Sequence, residues 1–149
     1  MKPALTLALI VGLLQGFPAA RAAEKLETLA ELKARAEISA PEECVRLCAG
    51  IARRSLEEAK DRYAQGADEE GRQLLRDVES YAEKAADAVT RTRKHEKQLE
   101  IDLRDIAHRV EALRRDLDPE NQRYADAAAG HLEKLRKRLL ESMFGKGPR

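Results

Sequence analysis

The chain has 149 residues, of which 37% are charged and only 3% are aromatic, and its formal net charge at pH 7 is +1. This near-neutral balance excludes a general electrostatic attraction to nucleic acid or to an anionic membrane surface. The length fits one small domain preceded by a targeting segment.

The first 22 residues have the layout of a secretory signal peptide. Lys2 supplies the positive charge, residues 5–14 form a mostly apolar run, and Ala20-Arg21-Ala22 is a small-x-small cleavage site. We expect cleavage after Ala22 and release of residues 23–149 into the periplasm or the medium. The apolar run is shorter than the roughly 20 residues that a spanning helix needs, so no membrane insertion is expected after cleavage.

The remaining sequence predicts helix at nearly every position, because Ala, Leu, Glu, Lys and Arg dominate it. Pro41 and Pro119 suit the first position of a helix, and the residues before them disfavour helical dihedrals. Within a domain of residues 23–144, the predicted helices are about 24–38, 41–65, 68–117 and 119–144. Residues 145–149 are predicted to be a flexible tail.

Apolar residues recur at steps of three and four along the second half of the predicted third helix and along the fourth. They are Leu99, Leu103, Ile106, Val110, Leu113 and Leu117, and then Ala125, Ala128, Leu132, Leu135, Leu139 and Ser142. These two stripes predict an antiparallel hairpin, and the second helix matches the front of the third in the same way. The expected fold is therefore an all-α, elongated bundle of two antiparallel hairpins that share one long central helix.

The stretch LEEAKDRYAQGADEEGRQLLRDV, residues 56–78, resembles the helical hairpin of a tetratricopeptide repeat. Ala59 and Gly71 are small residues where the helices of that motif approach each other, Gly66 is at the turn, and Leu75 lies behind them. The resemblance covers this one hairpin. It implies a groove for a partner peptide or helix, and so a binding role.

Cys44 and Cys48 are four residues apart and share one face of the predicted second helix. Their Cβ atoms should be about 5–6 Å apart, farther than the ~3.8 Å of a typical disulfide, so a bridge between them requires distortion. Cys44 is near the helix start, where fraying of the first turn would permit such a bridge. Three interpretations stay open: packing as small apolar residues, a disulfide within or between chains, or metal or redox chemistry.

The three histidines have no metal-ligand spacing. His95 and His108 are about 20 Å apart on one predicted helix, too far to bind one ion, and neither His108 nor His131 points into the predicted seam. We expect all three to be surface side chains. No metal ion or cofactor is predicted.

Residues 91–97, RTRKHEK, concentrate four fixed positive charges where the seam is weakest, since Thr92 and Glu96 take core positions. We interpret the segment as a solvated collar between the hairpins rather than a site for an anion or acidic partner, because no aromatic residues are interleaved. Without Gly or Pro there, we expect the helix to continue through it.

No catalytic motif is present, and the carboxylates have cationic neighbours at helical spacing that explain them. Leu140, Met143 and Phe144 lie outside the strict seam and suit contact with another surface. We therefore expect an exported, non-enzymatic protein that acts by contact with a protein partner or by self-association, as a scaffold, adaptor or chaperone-like module. The alternative is a periplasmic metal or redox sensor that uses Cys44 and Cys48.

Overall fold

The computed structural model describes residues 26–145. Within that range the chain forms helices and no strand, which confirms the predicted all-α class. The five helices are α1 (Leu29–Ile38), α2 (Pro41–Ala64), α3 (Asp68–Thr92), α4 (Glu96–Asp116) and α5 (Pro119–Phe144). The predicted signal peptide, residues 1–22, and residues 146–149 of the predicted tail lie outside the described residues.

Helix α1 begins at Leu29, later than the predicted start at residue 24. A capping box sets this start: the Thr28 hydroxyl accepts from the N–H of Glu31 at 3.2 Å, and the Glu31 carboxylate accepts from the N–H of Thr28 at 2.7 Å. Leu26, which the sequence analysis places in the first helix, lies before it and is 84% exposed. Helix α1 starts later than predicted because the Thr-x-x-Glu capping pattern of residues 28–31 outweighs the apolar periodicity.

Helices α2 and α3 form the first hairpin and have the most extensive contacts of any pair among the five described helices. Gly66 makes the turn with a φ of 74°, a conformation that glycine adopts without a steric penalty. One turn into α3, Gly71 packs so closely against α2 that an added Cβ would lie 2.8 Å from the ring of Tyr63. The absence of a side chain at residue 71 therefore sets how closely the helices approach.

The predicted single helix over residues 68–117 is wrong: α3 ends at Thr92 and α4 begins at Glu96. Arg93 and His95 adopt left-handed backbone angles, with φ of 56° and 65°. The Thr92 hydroxyl donates to the carbonyl of Ala88 at 3.0 Å and accepts from the N–H of Lys94 at 3.3 Å. Local sequence permits a continuous helix here, so packing between the hairpins must offset the cost of two left-handed residues, about 1–2 kcal/mol each.

The chain reverses at this junction, so the two hairpins lie side by side and share no helix. The ion pairs that join them include Arg53–Asp102 and Arg109–Glu57 between α2 and α4, and Arg72–Glu120 and Arg138–Glu83 between α3 and α5, at N–O distances of 2.9, 2.9, 3.0 and 2.9 Å. Residue numbers rise together along both members of each helix pair, so α2 is parallel to α4 and α3 is parallel to α5. The expected elongated rod is therefore replaced by a four-helix bundle, with each long helix about 30–40 Å in length.

The core of the bundle consists of thin apolar stripes rich in alanine. Its fully buried members include Ile51, Leu56, Ala59, Leu75, Val78, Ala82, Ala85, Val89, Leu99, Leu103, Ile106, Val110, Ala125, Ala128 and Leu132. Every predicted seam residue of α4 is buried, whereas Ser142 at the end of the α5 stripe is exposed and accepts a hydrogen bond from Arg93 at 3.0 Å. Small side chains let the helices pack closely, so a modest number of leucines suffices to fill the interior.

A buried amide connects the hairpins at their other end. The Asn121 side chain donates to carboxylate oxygens of Asp68 at 2.9 Å and Asp118 at 2.8 Å, and accepts from Arg72 at 2.8 Å. Asp118 also caps α5 by accepting from the Asn121 N–H at 3.0 Å. Because Asn121 is 1% exposed and all of its side-chain bonds are satisfied, it fixes the starts of α3 and α5 relative to each other.

Two glycine substitutions should change stability in opposite directions. At Gly130 an added Cβ meets nothing within 4 Å, so we expect Gly130→Ala to raise the free energy of unfolding by about 0.5–1 kcal/mol through helix propensity. We expect Gly71→Ala to lower it by about 1 kcal/mol, because the new methyl group overlaps the Tyr63 ring. Urea unfolding followed by circular dichroism measures both changes.

The same substitution in a Tyr63→Ala background provides the control. With the ring removed, the added methyl group at Gly71 has space, and Gly71→Ala should become stabilising. Equal stabilisation by Gly71→Ala and Gly130→Ala in the wild-type background would contradict the close approach of Gly71 to the Tyr63 ring.

Candidate functional site

The two cysteines meet at the start of α2. Their Sγ atoms are 3.0 Å apart, and one thiol donates to the other. Cys48 is fully buried, whereas Cys44, four residues nearer the start of α2, is partly exposed. The structure therefore brings together the two side chains that the sequence analysis singled out, with one sulfur near solvent and the other in the core.

A groove of about 290 Å³ leads to Cys44 from the surface. It lies between the C-terminal end of α1, the first turn of α2 and the C-terminal part of α3. Its lining residues are Ala36, Glu37, Ser39, Pro41, Cys44, Lys84, Asp87 and Arg91. Lys84 forms an ion pair with Glu37 across this groove.

The two sulfurs have different chemical environments. Burial raises the pKa of the Cys48 thiol to about 12, and its hydrogen bond with Cys44 adds to the increase. The charge of Lys84 opposes that increase. Cys48 thus remains a protonated thiol at neutral pH, and Cys44 is the member of the pair that a reagent in solution meets first.

The histidines occupy separate places. His108 is exposed on α4, whereas His131 lies 2.9 Å from a carboxylate oxygen of Glu83, and His95 lies 3.5 Å from one of Glu42. Over residues 26–145, no group of three or more His, Cys, Asp or Glu side chains has an arrangement that could hold a metal ion.

The cationic segment 91–97 makes bonds within the chain. The Lys94 ammonium lies 2.8 Å from Glu42, and this bond, with the smaller effect of His95, lowers the pKa of the Glu42 carboxyl. Glu42 is in the first turn of α2, two residues before Cys44. The junction between the hairpins is therefore bonded to the helix turn that carries the cysteine site.

A second groove, of about 380 Å³, runs along the outer face between α4 and α5. It is lined by Ala107, His108, Glu111, Asp126, Ala129, Gly130 and Glu133. Two of its small residues, Ala107 and Ala129, flank the seam stripes and Gly130 lies on the outer side, and the sequence did not predict the groove because alanine and glycine carry no clear periodic signal there. Small side chains on the floor of a groove let another backbone approach closely.

Larger apolar side chains continue this surface toward the end of α5. Ile101 is seven residues before His108 and Leu140 is seven residues after Glu133, so each shares a helix face with a lining residue of the groove. Phe144 is 74% exposed, and Leu140 and Met143 are partly exposed. The structure thus leaves at the surface the three residues that the sequence analysis assigned to an apolar edge.

Comparison with known proteins gives no relative for this chain: no family model, curated protein or solved structure matches it. The tetratricopeptide-like hairpin therefore stays a resemblance. None of helices α1–α5 is both long enough and apolar enough to cross a membrane.

Alkaline pH should destabilise the protein through its buried thiol and phenol. Burial raises the pKa of Cys48 from 9.0 to about 12 and that of Tyr63 from 10.0 to about 12. Above about pH 9 for the thiol and about pH 10 for the phenol, the unfolded chain loses the proton while the folded chain keeps it, so the free energy of unfolding falls as the pH rises, by at most about 1.4 kcal/mol per pH unit for each group.

Urea titrations at several pH values between about 8 and 10, with reductant present, measure this slope. Cys48→Ala is the matched variant, because it removes the thiol and leaves the lysines and tyrosines in place. We expect it to flatten the slope above about pH 9, and an unchanged slope would contradict the assignment to Cys48.

Proposed function

We propose that this protein is exported and acts by contact, presenting the outer face of α4 and α5 to a helix of another protein. The observation that carries this proposal is the open groove floored by Ala107, Ala129 and Gly130, with the exposed Phe144 farther along α5 at the end of the bundle. Small floor residues with larger apolar residues beyond them are a surface into which the apolar face of an amphipathic helix fits. A scaffold, adaptor or chaperone-like role uses such a surface.

The polar rim of the groove supports a binding role over a catalytic one. Arg114 lies 3.1 Å from Glu111 and 3.3 Å from Asp126, and Arg136 lies 3.0 Å from Glu133. These carboxylates are thus neutralised within the chain. A rim of paired charges around an apolar floor is typical of interfaces, in which the centre excludes water and the edge stays hydrated.

Export is supported by the sequence of the first 22 residues. Lys2, the apolar run of residues 5–14 and Ala20-Arg21-Ala22 together have the order of a signal peptide. The two cysteines suit an oxidising compartment, where thiol pairs form bridges.

Export predicts a defined N-terminus. When the full chain is expressed with its own leader in an exporting bacterial host, we expect the accumulated protein to begin at Ala23 and to fractionate with the periplasm or medium. Intact mass spectrometry and N-terminal sequencing measure this. Replacing Ala20 and Ala22 with a bulky residue should block cleavage, and a wild-type protein that starts at Met1 in the cytosol would contradict export.

A glycine pair tests the contact surface. Gly130 lies in the α4–α5 groove and Gly50 in a separate groove between α1 and α2, and an added Cβ meets nothing within 4 Å at either position. We expect Gly130→Gln to fill its groove and reduce partner cross-linking in the exporting cell by roughly tenfold or more. Gly50→Gln should leave cross-linking at the wild-type level.

The identity of the cross-linked partner comes from peptide mass spectrometry, and self-association is measured by light scattering on the purified protein. A partner helix joined to α4 or α5 supports the proposal, whereas a dimer that Gly130→Gln dissociates assigns the face to a second copy of the chain. Equal capture by both variants, or a strict monomer that captures no protein, would contradict it.

A further inference from the structure

We infer that Cys44 and Cys48 form a reversible dithiol–disulfide site that reacts with small-molecule disulfides through the groove beside the start of α2. The inference depends on the geometry of the pair and not on the proposed contact function. Its evidence is the contact between the two sulfurs, the unequal exposure of the two residues, and the groove that leads to one of them.

The sulfurs are already close to bonding position. A separation of 3.0 Å must shorten by about 1 Å to reach a disulfide bond length of about 2.05 Å. Regular helix geometry holds i and i+4 Cβ atoms too far apart for an unstrained bridge. The movement must therefore come from the backbone at the start of α2, which positions Cys44.

In the first turn of α2, Glu42 bonds to Lys94, but the start of the helix is uncapped. Ala40 has no side chain that caps the helix, and Pro41 at the first position has no N–H to donate. Ser39 and Ala40 have extended backbone angles, so the turn follows a short link and not another helical turn. Cys44 itself makes the first backbone bond of this helix, to the carbonyl of Ala40 at 2.8 Å, and a small adjustment there moves its sulfur toward Cys48.

The difference in exposure between Cys44 and Cys48 determines the order of the two reaction steps. The Cys44 thiolate attacks one sulfur of glutathione disulfide, which breaks the S–S bond, releases one glutathione thiolate and leaves a mixed disulfide on Cys44. Cys48 then loses its proton and attacks the Cys44 sulfur, which releases the second glutathione. The two protein thiols are oxidised to one disulfide, and their two hydrogens end on two glutathione thiols.

Burial of Cys48 is compatible with its role in the second step. Its high pKa makes it a poor nucleophile toward reagents in solution, but its attack on Cys44 is intramolecular and begins from contact. Lys84 lines the same groove, and its positive charge favours the thiolate form of Cys48. The pair therefore has an exposed attacking thiol and a buried resolving thiol.

Glutathione disulfide is the probe that tests the site on the purified native protein, with an acid quench and intact mass spectrometry. We expect wild-type protein to lose two hydrogen atoms in mass, to carry no lasting adduct, and to regain both hydrogens in dithiothreitol. Cys48→Ser should accumulate one glutathione adduct on Cys44. Cys44→Ser should react at least about tenfold more slowly than Cys48→Ser, because its remaining thiol is buried.

Circular dichroism verifies that both serine variants fold. If one does not, rapid quenching of the wild-type reaction and peptide mapping of the transient adduct replace it, and an adduct on Cys44 supports the order of steps. Thiols that stay free in the native protein but react in guanidinium would overturn the inference in favour of simple packing. Lasting adducts on wild-type protein or disulfide-linked dimers would also overturn it.

Discussion

The fold depends on the reversal of the chain at residues 93–95. Each hairpin has only a narrow apolar stripe of alanine and leucine. In an isolated hairpin, one side of this stripe would stay exposed to water. Because the junction turns the second hairpin back along the first, α2 covers α4 and α3 covers α5, and residues such as Ile51 and Ile106 become fully buried. The left-handed angles of Arg93 and His95 are the local cost of a single shared core.

The sequence was informative where one physical rule acts alone. Proline at residues 41 and 119 marks the first residue of α2 and α5, as a missing N–H and a fixed φ require. The alternating steps from Leu99 to Leu117 identify residues that are all buried. In both cases the signal depends on neighbours within a few positions, which sequence displays directly.

The sequence was uninformative where distant contacts decide the outcome. The junction at Arg93 contains no helix breaker, and its conformation follows from packing between helices that are about 50 residues apart, as in the pairs of Arg53 with Asp102 and of Arg72 with Glu120. The sequence does not reveal the role of Asn121, because its hydrogen-bond partner Asp68 is 53 positions earlier.

The α4–α5 groove was missed for a related reason. Ala129 and Gly130 form it because their side chains are too small to fill the space between the helices. Spacing did bring Cys44 and Cys48 to one helix face, but it could not say which of them is exposed.

Five helix ends lie at the end of the bundle that carries the cysteine pair: the C-terminal ends of α1, α3 and α5 and the starts of α2 and α4. Polar bonds connect several of them. Lys94 bonds to Glu42 in the first turn of α2, and Arg93 donates to Ser142 near the end of α5. The thiol site, the junction and the apolar end at Phe144 therefore belong to one end of the bundle. A substitution at this end would affect the thiol site, the junction and Phe144 together. A substitution that tests the contact surface separately from the thiol site must therefore lie away from this end. Gly130 meets that requirement, since it is 14 residues before Phe144, about 21 Å along α5.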